Sequence, residues 1–91
     1  MVDSMFTSAY QQVVAAVIAM RKSAGLTQRQ LAAALGREHS FVGRVETGQR
    51  RIDFVEFIWL CRACGADPRA KVDELMDAMV SLVPTRTRRR R

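Results

Sequence analysis

The stretch TQRQLAAALGREHSFVGRVETGQRR, residues 27–51, predicts two short helices that are separated by a tight turn. Thr27 and Gln30 form a capping box at the start of the first helix. The threonine hydroxyl can accept from the backbone N–H three residues on, and the glutamine can reach back to the threonine N–H. Gly36 ends this helix, because glycine enters the left-handed conformation without a Cβ penalty. A second helix follows, and Gly48 ends it in the same way.

Three further helices are predicted around this pair, since apolar residues recur at helical spacing on both sides of it. The fold class is therefore all-α, with five helices at about residues 8–24, 28–35, 38–47, 54–64 and 68–83. Asp53 and Asp67 are expected to cap the last two helices, and Pro68 stands where its missing N–H does no harm. We expect residues 1–6 to form an N-terminal arm, residues 7–83 the folded domain and residues 84–91 a basic tail.

The charge balance of the chain favours a polyanion as partner. The formal net charge is +6, and five of the last six residues are arginines. Such a balance favours nucleic acid first, and an acidic membrane or an acidic protein second. The sequence contains no run of about eighteen apolar residues, so we expect no membrane-spanning segment. The N-terminus lacks a basic region followed by an apolar run, so we expect no secretory signal.

A set of residues spread from the first to the third helix resembles the helix-turn-helix of the Cro/repressor-like family, often called the XRE family. The matching residues are Arg21, 25–28, 31–32, 35–36, Val42, 44–46 and Gly48. The resemblance implies a compact repressor-like DNA-binding domain whose second motif helix enters the major groove. It also implies a cytoplasmic, nucleoid-associated bacterial or phage regulator that binds double-stranded DNA. Glu38 departs from the family pattern, in which serine or threonine usually caps that helix.

Five residues at the start of the groove helix are candidates for DNA base contacts: Glu38, His39, Ser40, Gly43 and Arg44. Arg44 can pair with guanine O6 and N7, and the histidine and serine can read a base edge or a phosphate. The alternative is a solvated polar helix face. Candidates for phosphate contacts are Gln28, Arg29, Gln49, Arg50 and Arg51. The resemblance further implies a partly buried structural ion pair between Arg21 and Glu46.

The tail carries its charge on Arg86, Arg88, Arg89, Arg90 and Arg91. Because these arginines repel one another, we expect the tail to be disordered in the free protein. Near DNA the same charges can neutralise phosphates and suit a narrow minor groove. The alternatives are a solubility tail and a tail that binds any polyanion.

The pair Cys61 and Cys64 forms a CxxC motif, but structural zinc requires four ligands and the chain has one histidine. Both cysteines match inner positions of the fourth helix, together with Phe54, Phe57 and Leu60. We therefore expect reduced core thiols, no metal site and no cofactor. The sequence also lacks a nucleophile–base pair and a phosphate-cradling glycine loop, so we expect a protein that is not an enzyme.

The fourth and fifth helices carry more apolar residues than one face of a small domain can bury. We interpret the excess as a homodimer interface made of Val55, Ile58, Trp59, Leu75, Met76, Met79 and Val80. The alternative is that these residues pack against the first helix within one monomer. Two functions are possible for such a chain. The first is a sequence-specific transcriptional regulator, a repressor that binds an inverted-repeat operator as a homodimer. The second is the antitoxin of a toxin–antitoxin pair, which would use the surface around Trp59 to bind a toxin.

Overall fold

Five α-helices and a terminal 3₁₀ turn make up the part of the chain that the structure, a computed structural model, describes, residues 2–82. The elements are α1 (Val2–Ser23), α2 (Gln28–Ala34), α3 (Phe41–Glu46), α4 (Phe54–Ala63), α5 (Pro68–Met79) and the turn Val80–Leu82. The all-α architecture predicted from the sequence is confirmed. The predicted basic tail, residues 84–91, lies outside the described residues.

The first helix begins earlier than its sequence predicts. We expected an arm over residues 1–6, whereas α1 already begins at Val2. The physical reason is that residues 2–6 contain no glycine or proline, so nothing in this segment interrupts the helical backbone.

The helix ends follow the capping pattern of the sequence. The hydroxyl of Thr27 accepts from the backbone N–H of Gln30 at 3.1 Å, and the Gln30 side chain accepts from the Thr27 N–H at 2.9 Å. Asp53 and Glu56 make the same reciprocal pair at the start of α4. Gly36 has a φ of +68°, which lets the next N–H, that of Arg37, reach the carbonyl of Ala32 at 2.9 Å. These caps fix where α2 and α4 begin and where α2 ends.

The core lies between α1, α4 and the helix-turn-helix pair α2 and α3, and α5 packs against α1 and α4. Ala32 has no exposed surface. Its small side chain lets the two motif helices approach closely, and their contact buries it. Three of the six residues of α3 are buried, so this short helix is held by packing more than by its own length. The buried cluster comprises Val17, Met20, Leu31, Ala32, Phe41, Val42, Val45, Phe57, Leu60, Cys61 and Leu75.

Two apolar residues differ in exposure from what we predicted. Leu75, assigned to the homodimer interface, is 8% exposed and belongs to the core cluster. Phe54, assigned to an inner position of α4, is 65% exposed. Met79 packs against the core, so α5 uses its Leu75 and Met79 side within the monomer. The reason for the difference at Phe54 is its place as the first residue of α4, at the edge of the core, where it lines an open groove with Tyr10 and Val72.

Candidate nucleic-acid interface

The groove helix is shorter at its start than the sequence predicted. We expected it to begin at residue 38, but α3 begins at Phe41. The backbone N–H of Phe41 donates to the carbonyl of Glu38 at 3.0 Å, which closes a tight turn over residues 38–41 instead of a helical turn. Three predicted base contacts, Glu38, His39 and Ser40, are therefore exposed residues of the turn that leads into α3.

The fourth and fifth predicted base contacts, Gly43 and Arg44, lie in α3 itself. Arg44 is exposed, and its Nη2 atom donates to Glu38 Oε2 at 2.6 Å. A backbone hydrogen bond at Glu38 lowers the pKa of this carboxyl, and the nearby Arg44 and Arg37 charges lower it further. The turn and the groove helix thus present a paired carboxylate and guanidinium on the same exposed surface.

Gly43 is explained by its neighbour Gln28 on α2. A Cβ atom at position 43 would lie 3.2 Å from Gln28 Oε1, closer than most side-chain contacts. The Gln28 amide Nε2 donates to Glu46 Oε1 at 2.8 Å, so the side chain crosses α3 at the glycine. The first residue of α2 is therefore held over the groove helix.

Arg21 and Glu46 form a partly buried ion pair that ties α1 to the end of α3. The Arg21 Nε and Nη2 atoms donate to the two carboxylate oxygens of Glu46 at 2.6 and 3.0 Å. Arg21 Nη1 also donates to the carbonyl of Leu26 at 3.0 Å. The hydrogen bond to Glu46 raises the pKa of Arg21. Together with Gln28, this pair sets the position of the groove helix relative to α1 and α2.

A second cluster around Glu56 was not predicted from the sequence beyond its cap. Arg50 donates to both carboxylate oxygens of Glu56, at 3.0 and 2.7 Å, and Arg37 donates to one at 3.4 Å. The two guanidinium carbons lie 5.2 and 4.2 Å from the centre of the Phe41 ring. The hydrogen bond from Arg50 is the main cause that lowers the pKa of Glu56, to about 2.

The remaining predicted phosphate contacts differ in whether another side chain contacts them. Arg29 and Gln49 are exposed. The guanidinium of Arg51 lies 4.2 Å from the centre of the Tyr10 ring, and the Tyr10 hydroxyl accepts from the backbone N–H of Ile52 at 3.1 Å. The segment after α3 is therefore attached to α1 through one tyrosine. The arginines of the tail, from Arg86 onward, lie outside the described residues.

The two cysteines are free thiols. Burial raises the pKa of the Cys61 thiol to about 11 and also raises that of Cys64. Within residues 2–82 the structure has no group of histidine, cysteine and acidic side chains that could hold a metal ion. Over the same residues no helix is both long and apolar enough to cross a membrane.

An apolar surface remains on α4, α5 and the terminal 3₁₀ turn. Its large exposed side chains are Phe54, Val55, Trp59, Met76 and Val80. Trp59 is 53% exposed, an unusual fraction for the largest apolar side chain. Ile58 is half-buried and lines a groove between α4 and α5 with Phe54 and Val72. We call these residues the Trp59 surface; it retains all of the predicted interface residues except Leu75 and Met79.

Comparison with known proteins agrees with this geometry. The helix-turn-helix domain family matches residues 14–75. The chain is also similar to a solved structure, an XRE-family like protein from Pseudomonas syringae pv. tomato str. DC3000. The two are 38% identical, the match covers 84% of this chain and 93% of that chain, and the TM-score is 0.79. The comparison with curated proteins gave no match. The chain is therefore a DNA-binding helix-turn-helix protein and belongs to the XRE family.

Proposed function

We propose that this protein is a sequence-specific transcriptional repressor that reads an inverted-repeat operator in double-stranded DNA as a homodimer. Its membership of a family of DNA-binding regulators supports the first part of this proposal. The observation that supports sequence reading is the exposed surface of the 38–40 turn and α3, where Arg44 stands beside His39 and Ser40. In a helix-turn-helix the residues at this place reach base edges.

Phosphate contacts would flank this surface. The N-terminus of α2 presents backbone N–H groups and the exposed Arg29, both suited to an anion. Gln28 stands at the same end but is engaged with Glu46, so we infer that it is held in place before DNA arrives. Arg50 is bound to Glu56 on both oxygens, and a phosphate contact would have to use the rest of its guanidinium. Substitution of Arg29 is therefore the more direct test of phosphate binding.

Selection from a pool of random duplexes tests sequence reading. The protein should enrich one motif made of two inverted half-sites about one helical turn, roughly 10–11 bp, apart. A pool that stays random after several rounds, although the protein still binds duplex DNA, would contradict sequence-specific binding. Transcription in vitro from a promoter that carries the enriched motif then separates repression from activation.

The Trp59 surface is the part of the molecule that we assign to the homodimer. Trp59 and Met76 are exposed, so Trp59→Ala and Met76→Glu should weaken association while the helical content of the monomer stays unchanged. Ala70→Glu on the exposed side of α5 is the matched control and should not change association. Sedimentation at tens of micromolar should show a dimer for the unmodified protein, and a monomer at this concentration would refute the assignment.

The exposed tryptophan also supports a second function, the antitoxin of a toxin–antitoxin pair. In that case the Trp59 surface would bind an unrelated protein chain, and DNA binding would serve autoregulation. Co-purification of a stoichiometric second protein from the native host, abolished by Trp59→Ala, would favour this function over a dedicated repressor. A homodimer that co-purifies alone would favour the repressor.

A further inference from the structure

The turn before the groove helix carries an acidic residue at a place where DNA phosphates would be close. An unpaired carboxylate at such a place would repel the phosphates and weaken binding to every sequence. Glu38 is not unpaired, because its Oε2 accepts from Arg44 Nη2 at 2.6 Å while both side chains stay about half exposed. The Glu38 carboxylate is therefore paired with Arg44, the one exposed arginine of α3.

The pairing leaves most of the hydrogen-bonding capacity of both side chains free. A guanidinium has five N–H donors in a planar fork, and this contact uses one nitrogen. The second carboxylate oxygen of Glu38 accepts from no other side chain in the part of the chain that the structure describes. The fork can still face guanine O6 and N7, and the second carboxylate oxygen, with two lone pairs, can accept from the amino group of cytosine.

We propose that Glu38 and Arg44 read DNA as one unit, in which the carboxylate orients the guanidinium towards a guanine and also accepts from cytosine N4 in the adjacent base pair. The inference rests on the proposed function and adds to it a specificity-determining residue and a base step. Orientation by Glu38 restricts the rotamers of Arg44 before binding, so less side-chain entropy is given up on the DNA. The unit is also close to neutral, which removes the phosphate repulsion of a lone carboxylate.

The test is a double-mutant cycle on the site that the unmodified protein selects. Arg44→Ala should weaken binding to this site roughly 10–100-fold, because it removes the guanine contact and leaves an unpaired carboxylate facing DNA. In the Glu38→Ala background, the same change should cost less than about tenfold, since no carboxylate is left unpaired. Equal losses in the two backgrounds would overturn the proposal.

Base preference provides the readout that a purely structural role would not move. Glu38→Gln should shift the preference next to the guanine from cytosine towards adenine, since glutamine pairs with adenine N6 and N7. Glu74→Gln is the matched control: it removes the same charge from an exposed site on α5 and should leave every base preference unchanged. A Glu38→Gln protein that binds all sequences more tightly with unaltered preferences would show that Glu38 acts only through its charge.

The two proposals fail in different ways. If the unmodified protein selects no motif, the proposed sequence-specific function fails before any variant is compared. If it selects a motif and the cycle shows no coupling, sequence-specific binding stands and the Glu38–Arg44 unit is rejected. Because both residues are exposed, circular dichroism of the variants should match that of the unmodified protein.

Discussion

Replacement of Glu56 by glutamine should lower the stability of the fold, and the loss should depend on pH. Glu56 accepts from Arg50 and Arg37 and caps α4, and its side chain is 12% exposed. These contacts lower its pKa from an ordinary value of 4.5 to about 2. At about 1.4 kcal/mol per pKa unit, the shift corresponds to about 3 kcal/mol, which solvent screening of the partly exposed arginines reduces to about 1–2 kcal/mol.

The sign follows from proton binding. The carboxyl holds its proton less tightly in the folded state than in the unfolded state. Its stabilisation is therefore fully present above about pH 5 and disappears as the pH falls towards 2. Glu56→Gln should thus cost about 1–2 kcal/mol in the free energy of unfolding at pH 7, and this deficit should narrow steadily as the pH falls below about 5. Denaturant titrations between pH 2.5 and 7, followed by circular dichroism, measure both quantities.

Glu74→Gln is the matched control, because Glu74 is 67% exposed and its contact with Lys71 is 3.3 Å long. This variant should differ from the unmodified protein by less than about 0.5 kcal/mol at every pH. If Glu56→Gln behaved like Glu74→Gln, or if its deficit did not change with pH, the Glu56 cluster would not stabilise the fold in the way described.

Three further predictions follow from individual sites. Gly43→Ala should raise the free energy of unfolding by less than the roughly 1 kcal/mol of helix propensity, because the new Cβ crowds Gln28. It should also weaken DNA binding, and adding Gln28→Ala should cause no further loss of DNA affinity. Deletion of residues 85–91 should lower the affinity for specific and random duplexes together. It should also flatten the slope of log affinity against log salt concentration by about 0.9 for each phosphate that the protein no longer neutralises. An unchanged slope would show that the tail does not touch DNA. Cys61, whose pKa burial raises to about 11, should be alkylated at pH 8 only as fast as the protein unfolds, and rapid labelling of the native protein would contradict its buried position.

The starts of α2 and α4 and the end of α2 were predictable because their signals are local. A threonine or aspartate three residues before a glutamine or glutamate, as at Thr27 and Asp53, defines a cap within one turn of chain. Gly36 ends α2 for an equally local reason, its positive φ. The helical period then identified most of the core, since each amphipathic helix has one side that must be buried.

The parts that could not be predicted depend on contacts between distant residues. Nothing near Glu56 in the sequence shows that Arg37, nineteen positions earlier, reaches its carboxylate across the Phe41 ring. The pairing of Glu38 in the turn with Arg44 in α3 is likewise a contact that capping signals do not show. Leu75 is buried because of where α5 packs, which its position in the helical period left open. Capping residues and the helical period define the individual helices, whereas these sites depend on how the helices pack against one another.

The most direct test of sequence reading by α3 is to compare Arg44→Ala with Arg29→Ala on the selected site and on random duplex. Arg44→Ala should cost about 1–3 kcal/mol on the selected site and should relax the preference at one base position. The loss on random duplex should be smaller, because only the repulsion between the unpaired Glu38 carboxylate and the phosphates acts there. Arg29→Ala should weaken both duplexes alike, since a phosphate contact carries no base information. Equal losses on the two duplexes for Arg44→Ala, with every base preference intact, would contradict base reading by this helix.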